Sequence, residues 1–135
     1  MPLHEDLVIP QGKTWTGPLW ALLRHDNTPV DLTGLTVHAQ VRSSVRDSVV
    51  LHEWSTDLGN VLVASATVTV QDGTGVSADI TTAAIALTVG PAVSASWAWR
   101  NGVYDVDVYN PADLGDVWSV VEPSSVRVVA EVTRG

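Results

Sequence analysis

Cysteine and phenylalanine are both absent from this chain of 135 residues, methionine occurs only once, and only seven residues are Lys or Arg. Without cysteine there are no disulfides, no thiolate metal sites and no cysteine nucleophiles, so any fold must hold by burial alone. A chain of this length has the size of one domain and buries roughly two-thirds of its unfolded surface, enough for a core without staples. The basic residues are Lys13, Arg24, Arg42, Arg46, Arg100, Arg127 and Arg134, scattered among 15 acidic ones for a net charge of −8. Affinity for nucleic acid comes from clustered cations that neutralise phosphates, so the expectation is no nucleic-acid partner. No apolar run reaches the ~18 residues a membrane crossing needs, and no basic, apolar and small-residue series opens the chain. A soluble protein with no membrane partner is expected.

What the chain has instead is Val, Thr, Ala and Leu in quantity, and six tryptophans, a composition that favours strands. In "LTVHAQVRS", Leu35, Val37, Ala39 and Val41 alternate with Thr36, His38, Gln40 and Arg42, the two-residue period of a strand with one buried face. "VVLHEWS" reads as its antiparallel partner across a polar turn. "VLVASATVTV" and "ADITTAAIALTV", joined by "QDGTG", read as a hairpin with Ile85, Leu87 and Val89 inward. "GPAVSAS" reads as a short helical turn or crossover, because its proline cannot hold a ladder. "WAWRNGVYDVDVY", "DVWSVVE" and "SVRVVAEVTR" supply the late strands. Near the start, Pro10, Gly12, Gly17 and Pro18 break any helix. This predicts an extended N-terminal arm over residues 1–15, a strand from about Trp20 to His25, and a turn in "HDNTPVDLTG". With breakers and charge, the arm would order against a neighbouring subunit. No segment has sustained helical periodicity. The prediction is an all-β fold of about eight short strands, a single β-sandwich domain over 16–135.

Candidate chemistry is sparse. In "GVYDVDVYNP", Tyr104, Val106 and Val108 share one strand face while Asp105, Asp107 and Tyr109 share the other, so the two carboxylates read as the wet side of a sheet. A glycosidase would need two carboxyls about 5–10 Å apart, which same-face neighbours approach. Asp113 and Asp116 follow in a loop that lacks a calcium-binding pattern. The histidines, His4, His25, His38 and His52, fall in separate segments, and His38 and His52 read as outward on neighbouring strands. No serine has a nucleophile elbow around it, and "GKT" at Gly12 to Thr14 lacks the leading glycine of a phosphate loop. No catalytic, cofactor-binding or metal residue is assigned, and no enzyme is expected. Six tryptophans without a phenylalanine exceed ordinary core filling, so Trp15, Trp20, Trp97 and Trp99, with Arg100 beside the last pair, are interface candidates.

The pieces "GKTW", "HDNTPVDLTGLTVHAQVRS", "WST", "GVYDVDV" and "VRVVAEVTR", in that order over nearly the whole chain, resemble the small β-sandwich proteins that tailed bacteriophages encode among their virion and tail genes. More distantly they resemble the N-terminal immunoglobulin-like domain of phage baseplate upper proteins. The matching positions are Pro29 to Gly34, Tyr104 with Asp105, and Glu131 to Arg134. The resemblance implies an antiparallel immunoglobulin-like β-sandwich, made in the host cytoplasm and placed in the virion. It implies a non-enzymatic tail or baseplate role, binding other virion proteins in repeated or homo-oligomeric copies without a cofactor. The alternatives are a capsid decoration protein, a carbohydrate-binding module for host recognition and, far behind, a glycoside hydrolase.

Overall fold

The computed structural model describes residues 3–24 and 26–130. The readings at His25 and at Glu131 to Arg134 lie outside the described residues. Among the described residues there are nine strands: β1 (Leu7–Pro10), β2 (Trp15–Thr16), β3 (Trp20–Ala21), β4 (Thr36–Arg42), β5 (Val50–Ser55), β6 (Val61–Gln71), β7 (Ser77–Val89), β8 (Asn101–Asn110) and β9 (Asp113–Val129). One short helix, α1 (Pro91–Ala95), lies between β7 and β8. Among the described residues, no helix is long and apolar enough to cross a membrane.

The strands form two sheets. The larger has the order β1-β9-β8-β4-β5. In the smaller, β3 and β6 both pair with Ile85 and Ala84 of β7. One residue bonds to only one strand on each side, so β7 is central, with β2 and β3 along one edge and β6 along the other.

The period of two fixes the buried face. Val37, Ala39 and Val41 of β4 lie opposite Val108, Val106 and Tyr104 of β8, and all six are almost fully buried. Ile85, Leu87 and Val89 of β7 join the same core from the other sheet. The expected β4–β5 and β6–β7 pairings and the helical turn at "GPAVSAS" are present.

Three expectations are revised. The segments "DVWSVVE" and "SVRVVAEVTR" are one strand through Val129, because the β8–β9 register shifts between Tyr104 and Val106. Pro123 sits in that irregularity, one of the few places where a sheet tolerates a residue with no N–H. Second, the sheet is not wholly antiparallel, since β1 runs parallel to β9. Third, the N-terminal arm docks on its own chain instead of waiting for a neighbouring subunit. Leu7 and Ile9 are buried in the core, and Leu3 and Gln11 donate backbone bonds to Val120 and Val129. The Tyr104 hydroxyl donates to the Glu5 carbonyl at 2.5 Å. Beyond the strand, the Gly12 N–H donates to Ser94 Oγ at 2.8 Å, tying the arm to α1. Two apolar side chains at alternate positions outweigh the breakers around them.

Candidate functional site

The outward face of the five-stranded sheet gathers the polar residues of β4, β5 and β8. Asp105 lies opposite Gln40 and Asp107 opposite His38, around a shallow cavity of about 290 Å³. Gln40 Nε2 donates to Glu53 Oε2 at 3.2 Å, Arg42 donates to Gln40 Oε1 at 2.6 Å, and His38 Nε2 stands 3.5 Å from Glu53 Oε1. Burial holds Asp107 above the usual carboxylate range, the Asp105 charge adds to the rise, and His38 opposes it. The two aspartates are thus half-buried on a polar sheet face whose side-chain hydrogen bonds run between Gln40, Glu53 and Arg42. Among the described residues no group of three or more His, Asp or Glu could hold a metal ion.

His52 does not join His38 on that face. It pairs with Val41 and points inward, because Trp54 two residues on must share its side and is fully buried. There it meets Trp54 edge-on at 4.6 Å and Trp97 at 5.0 Å, and Trp97 in turn stacks on Trp99 at 4.6 Å. Two segments distant in sequence thus build one aromatic cluster, within which, among the described residues, His52 Nε2 and Trp99 Nε1 are buried without a hydrogen-bond partner.

Burial lowers the His52 pKa below its ordinary 6.5, only partly offset by Glu53. Below pH 6.5 the unfolded chain therefore takes up this proton before the folded one does. Stability falls as pH drops from 6.5 towards the folded pKa, and this contribution is level above 6.5. Urea midpoints across this range should fall more steeply for the parent than for His52→Leu, and parallel curves would refute the assignment.

The interface candidates divide. Trp20, 4 % exposed, and Trp97, 9 % exposed, belong to the chain's own core. Trp15 and Trp99 are half-buried against it, and Arg100 is exposed. Trp97 and Trp99 precede β8 and do not lie on it, since the strand begins at Asn101.

A larger cavity, of about 640 Å³, lies where β9 passes β3 and the β6–β7 hairpin. Trp118 forms part of its wall with Asn27, Asp116 and Ser119, and the Arg24 guanidinium lies 4.7 Å from the Trp118 ring centroid. Trp118 is not among the tryptophans that the sequence marks as interface candidates. The available signal was its place in "DVWSVV", two residues before the apolar Val120.

Comparison of the chain with protein-family models, with curated proteins and with solved structures finds no match.

Proposed function

We propose that this chain is a non-enzymatic structural protein of a bacteriophage virion, a tail or baseplate component that binds other virion proteins, built on an immunoglobulin-like β-sandwich. The observation that supports the architecture in this reading is the strand order, and the virion role rests on the resemblance of the sequence pieces. A variable-type immunoglobulin domain has a B-E-D sheet facing a G-F-C sheet extended by C′. Here the order β3-β7-β6, which follows from the pairing of β3 and β6 with the same residues of β7, stands beside β9-β8-β4-β5 in the same chain order, with a helical turn before β8. The resemblance pieces fall at structural positions within this order: Pro29 to Gly34 lead into β4, and Tyr104 with Asp105 lie in β8. Such a scaffold presents loops and strand edges on a rigid core, the arrangement that assembling proteins use.

Capsid decoration is the alternative within the virion. Immunogold labelling of purified particles is the test. Gold on the tail or baseplate is the expected result, gold over the capsid shell selects decoration, and particles free of the protein overturn the virion reading.

The larger cavity favours one reading from another class, a carbohydrate-binding module. An indole wall with Asn27, Asp116 and Arg24 around it supplies the planar hydrogen-bonding groups that sugar recognition uses. Arg24 over the Trp118 ring counts against it, since it covers a face on which a sugar would stack. Glycan-array binding that disappears in Trp118→Ala would select this reading.

A further inference from the structure

The smaller sheet ends in a strand whose outer edge no other described strand pairs with. β6 pairs with β7 alone, and of its eleven residues only Val61 is buried, with Leu62 48 % and Val63 50 % exposed. Its hydrogen-bonding phase can be fixed from the two ends of the ladder. Thr88 N–H donates to the Asn60 carbonyl at 3.1 Å, and Asp72 N–H donates to the Val76 carbonyl at 3.0 Å. Bonded and non-bonded pairs alternate along an antiparallel ladder. The even-numbered residues of β6 therefore bond to β7, and the N–H and C=O groups of the odd-numbered ones point away from it.

Proteins usually blunt such an edge with charge, proline, a bulge or brevity, and the other edges of this chain do so. β1 has four residues and ends in Pro10. β5 carries Glu53 and pairs with β4 across a register shift. β2 and β3 have two residues each, separated by Gly17 and Pro18. In contrast, "VLVASATVTVQ" contains no charge, no proline and no glycine, and its pairing with β7 is continuous.

The two faces of the β6–β7 hairpin also differ. On one, Thr67 faces Thr81 at 3.3 Å and Thr69 donates to Asp79 at 2.8 Å, a polar ladder. On the other, Ala64, Ala66, Val68 and Val70 oppose Ala84, Thr82, Ile80 and Ala78, a largely apolar surface. A two-stranded ribbon is marginal in water on its own and gains from another strand and a hydrophobic face.

We infer that the free edge of β6 pairs antiparallel with β6 of a second copy, about a two-fold axis at Ala66, making one sheet across the dimer. Pairing in this register sets Leu62 of one copy against Val70 of the other and Ala64 against Val68, apolar opposite apolar. Ser65 meets Thr67, both polar and both with outward-facing backbone groups. None of the 15 acidic residues of this −8 chain lies in β6, so two copies can approach here without like-charge pairs. The nearest carboxylate beyond the strand, Asp72, comes opposite Asn60. A strand from an unrelated protein would need to match this neutrality and parity, which a second copy brings by identity. The inference stands on the edge itself and does not depend on the virion reading.

The purified full chain should sediment at twice 14.4 kDa as concentration rises. Thr67→Pro removes an N–H that points away from β7 and should restore the monomer mass. If that variant fails to fold, Ser65→Lys combined with Thr67→Lys sets lysine against lysine twice across the two-fold and serves the same purpose, with far-ultraviolet circular dichroism confirming the sheet. In a chain without cysteine, Ala66→Cys places two thiols at close-pair distance and should form a disulfide-linked dimer, while Ala92→Cys on exposed α1 should not. A parent that stays monomeric at every concentration overturns the inference. So does a dimer that survives the lysine pair, or cross-linking no faster at Ala66 than at Ala92. Failure of the virion reading shows separately, as particles that lack the protein.

Discussion

Trp54→Ala is expected to lower the unfolding free energy by about 3–5 kcal/mol, the range for deleting a large aromatic from a packed core. Trp54 is 0 % exposed although it lies on an edge strand, so its ring closes the end of the core at that edge. Its Nε1 donates to the Thr88 carbonyl at 3.0 Å, which makes it a hydrogen-bonded link from β5 in one sheet to β7 in the other. Truncation removes the ring, leaves that half-buried carbonyl without the indole donor, and takes away the edge-on partner of His52. Domains of this kind have total stabilities of about 5–15 kcal/mol, so the variant would be partly unfolded at moderate urea. Trp54→Phe should lose less, since it keeps most of the apolar area and forfeits the N–H. Equilibrium denaturation of the three proteins checks this. A loss below about 1 kcal/mol for the alanine variant would place it among ordinary surface substitutions and defeat the core assignment.

How much of this was legible in the sequence depends on whether a local pattern existed. β4 and β8 were, because Val37, Ala39 and Val41, and Tyr104, Val106 and Val108, alternate with polar residues and a strand has a period of two. The hairpin of β6 and β7 was, through "QDGTG". The place of β1 was not. Its four residues end in proline, and its partner is more than a hundred positions away in β9, so no short-range signal marks a parallel edge strand. The segments on either side of Pro123 read as separate strands because the sequence does not show that the ladder around it is irregular.

The same distinction governs the side chains. Asp105 and Asp107 were placed correctly on the polar face by alternation. His52 was misplaced, and the fully buried Trp54 would have corrected the parity had it been taken as the anchor of that strand. The tryptophan excess was visible as a count, but a count does not assign positions. That Trp97 stacks between His52 and Trp99 follows from the turn made by α1, which brings the segment before β8 against β5. The pairing of Arg24 with Trp118 joins residues more than ninety positions apart and left no trace in either local segment.

Gly102→Ala should destabilise the chain by about 1–3 kcal/mol, the usual cost of overpacking a well-filled site. On general grounds the sign would be the reverse, since glycine in a strand interior is disfavoured relative to alanine by roughly 0.5–1 kcal/mol. The local geometry decides. A Cβ on Gly102 would stand 2.6 Å from Val41 Cγ1 and 3.0 Å from the Arg42 carbonyl oxygen. Neither neighbour can yield easily. Val41 is fully buried and β-branched, with few rotamers open to it, and Arg42 is backbone at the point where the β4–β5 register shifts. Gly102 itself is held against Val126 of β9, so β8 cannot move away without loosening that ladder. Val41→Ala removes the nearest atom, and the double variant Val41→Ala with Gly102→Ala should therefore be more stable than the sum of the two single losses allows, a coupling of at least about 0.5 kcal/mol for side chains in contact. Urea denaturation of the four proteins measures it, and a Gly102→Ala chain more stable than the parent would show that β8 and β4 do not approach this closely.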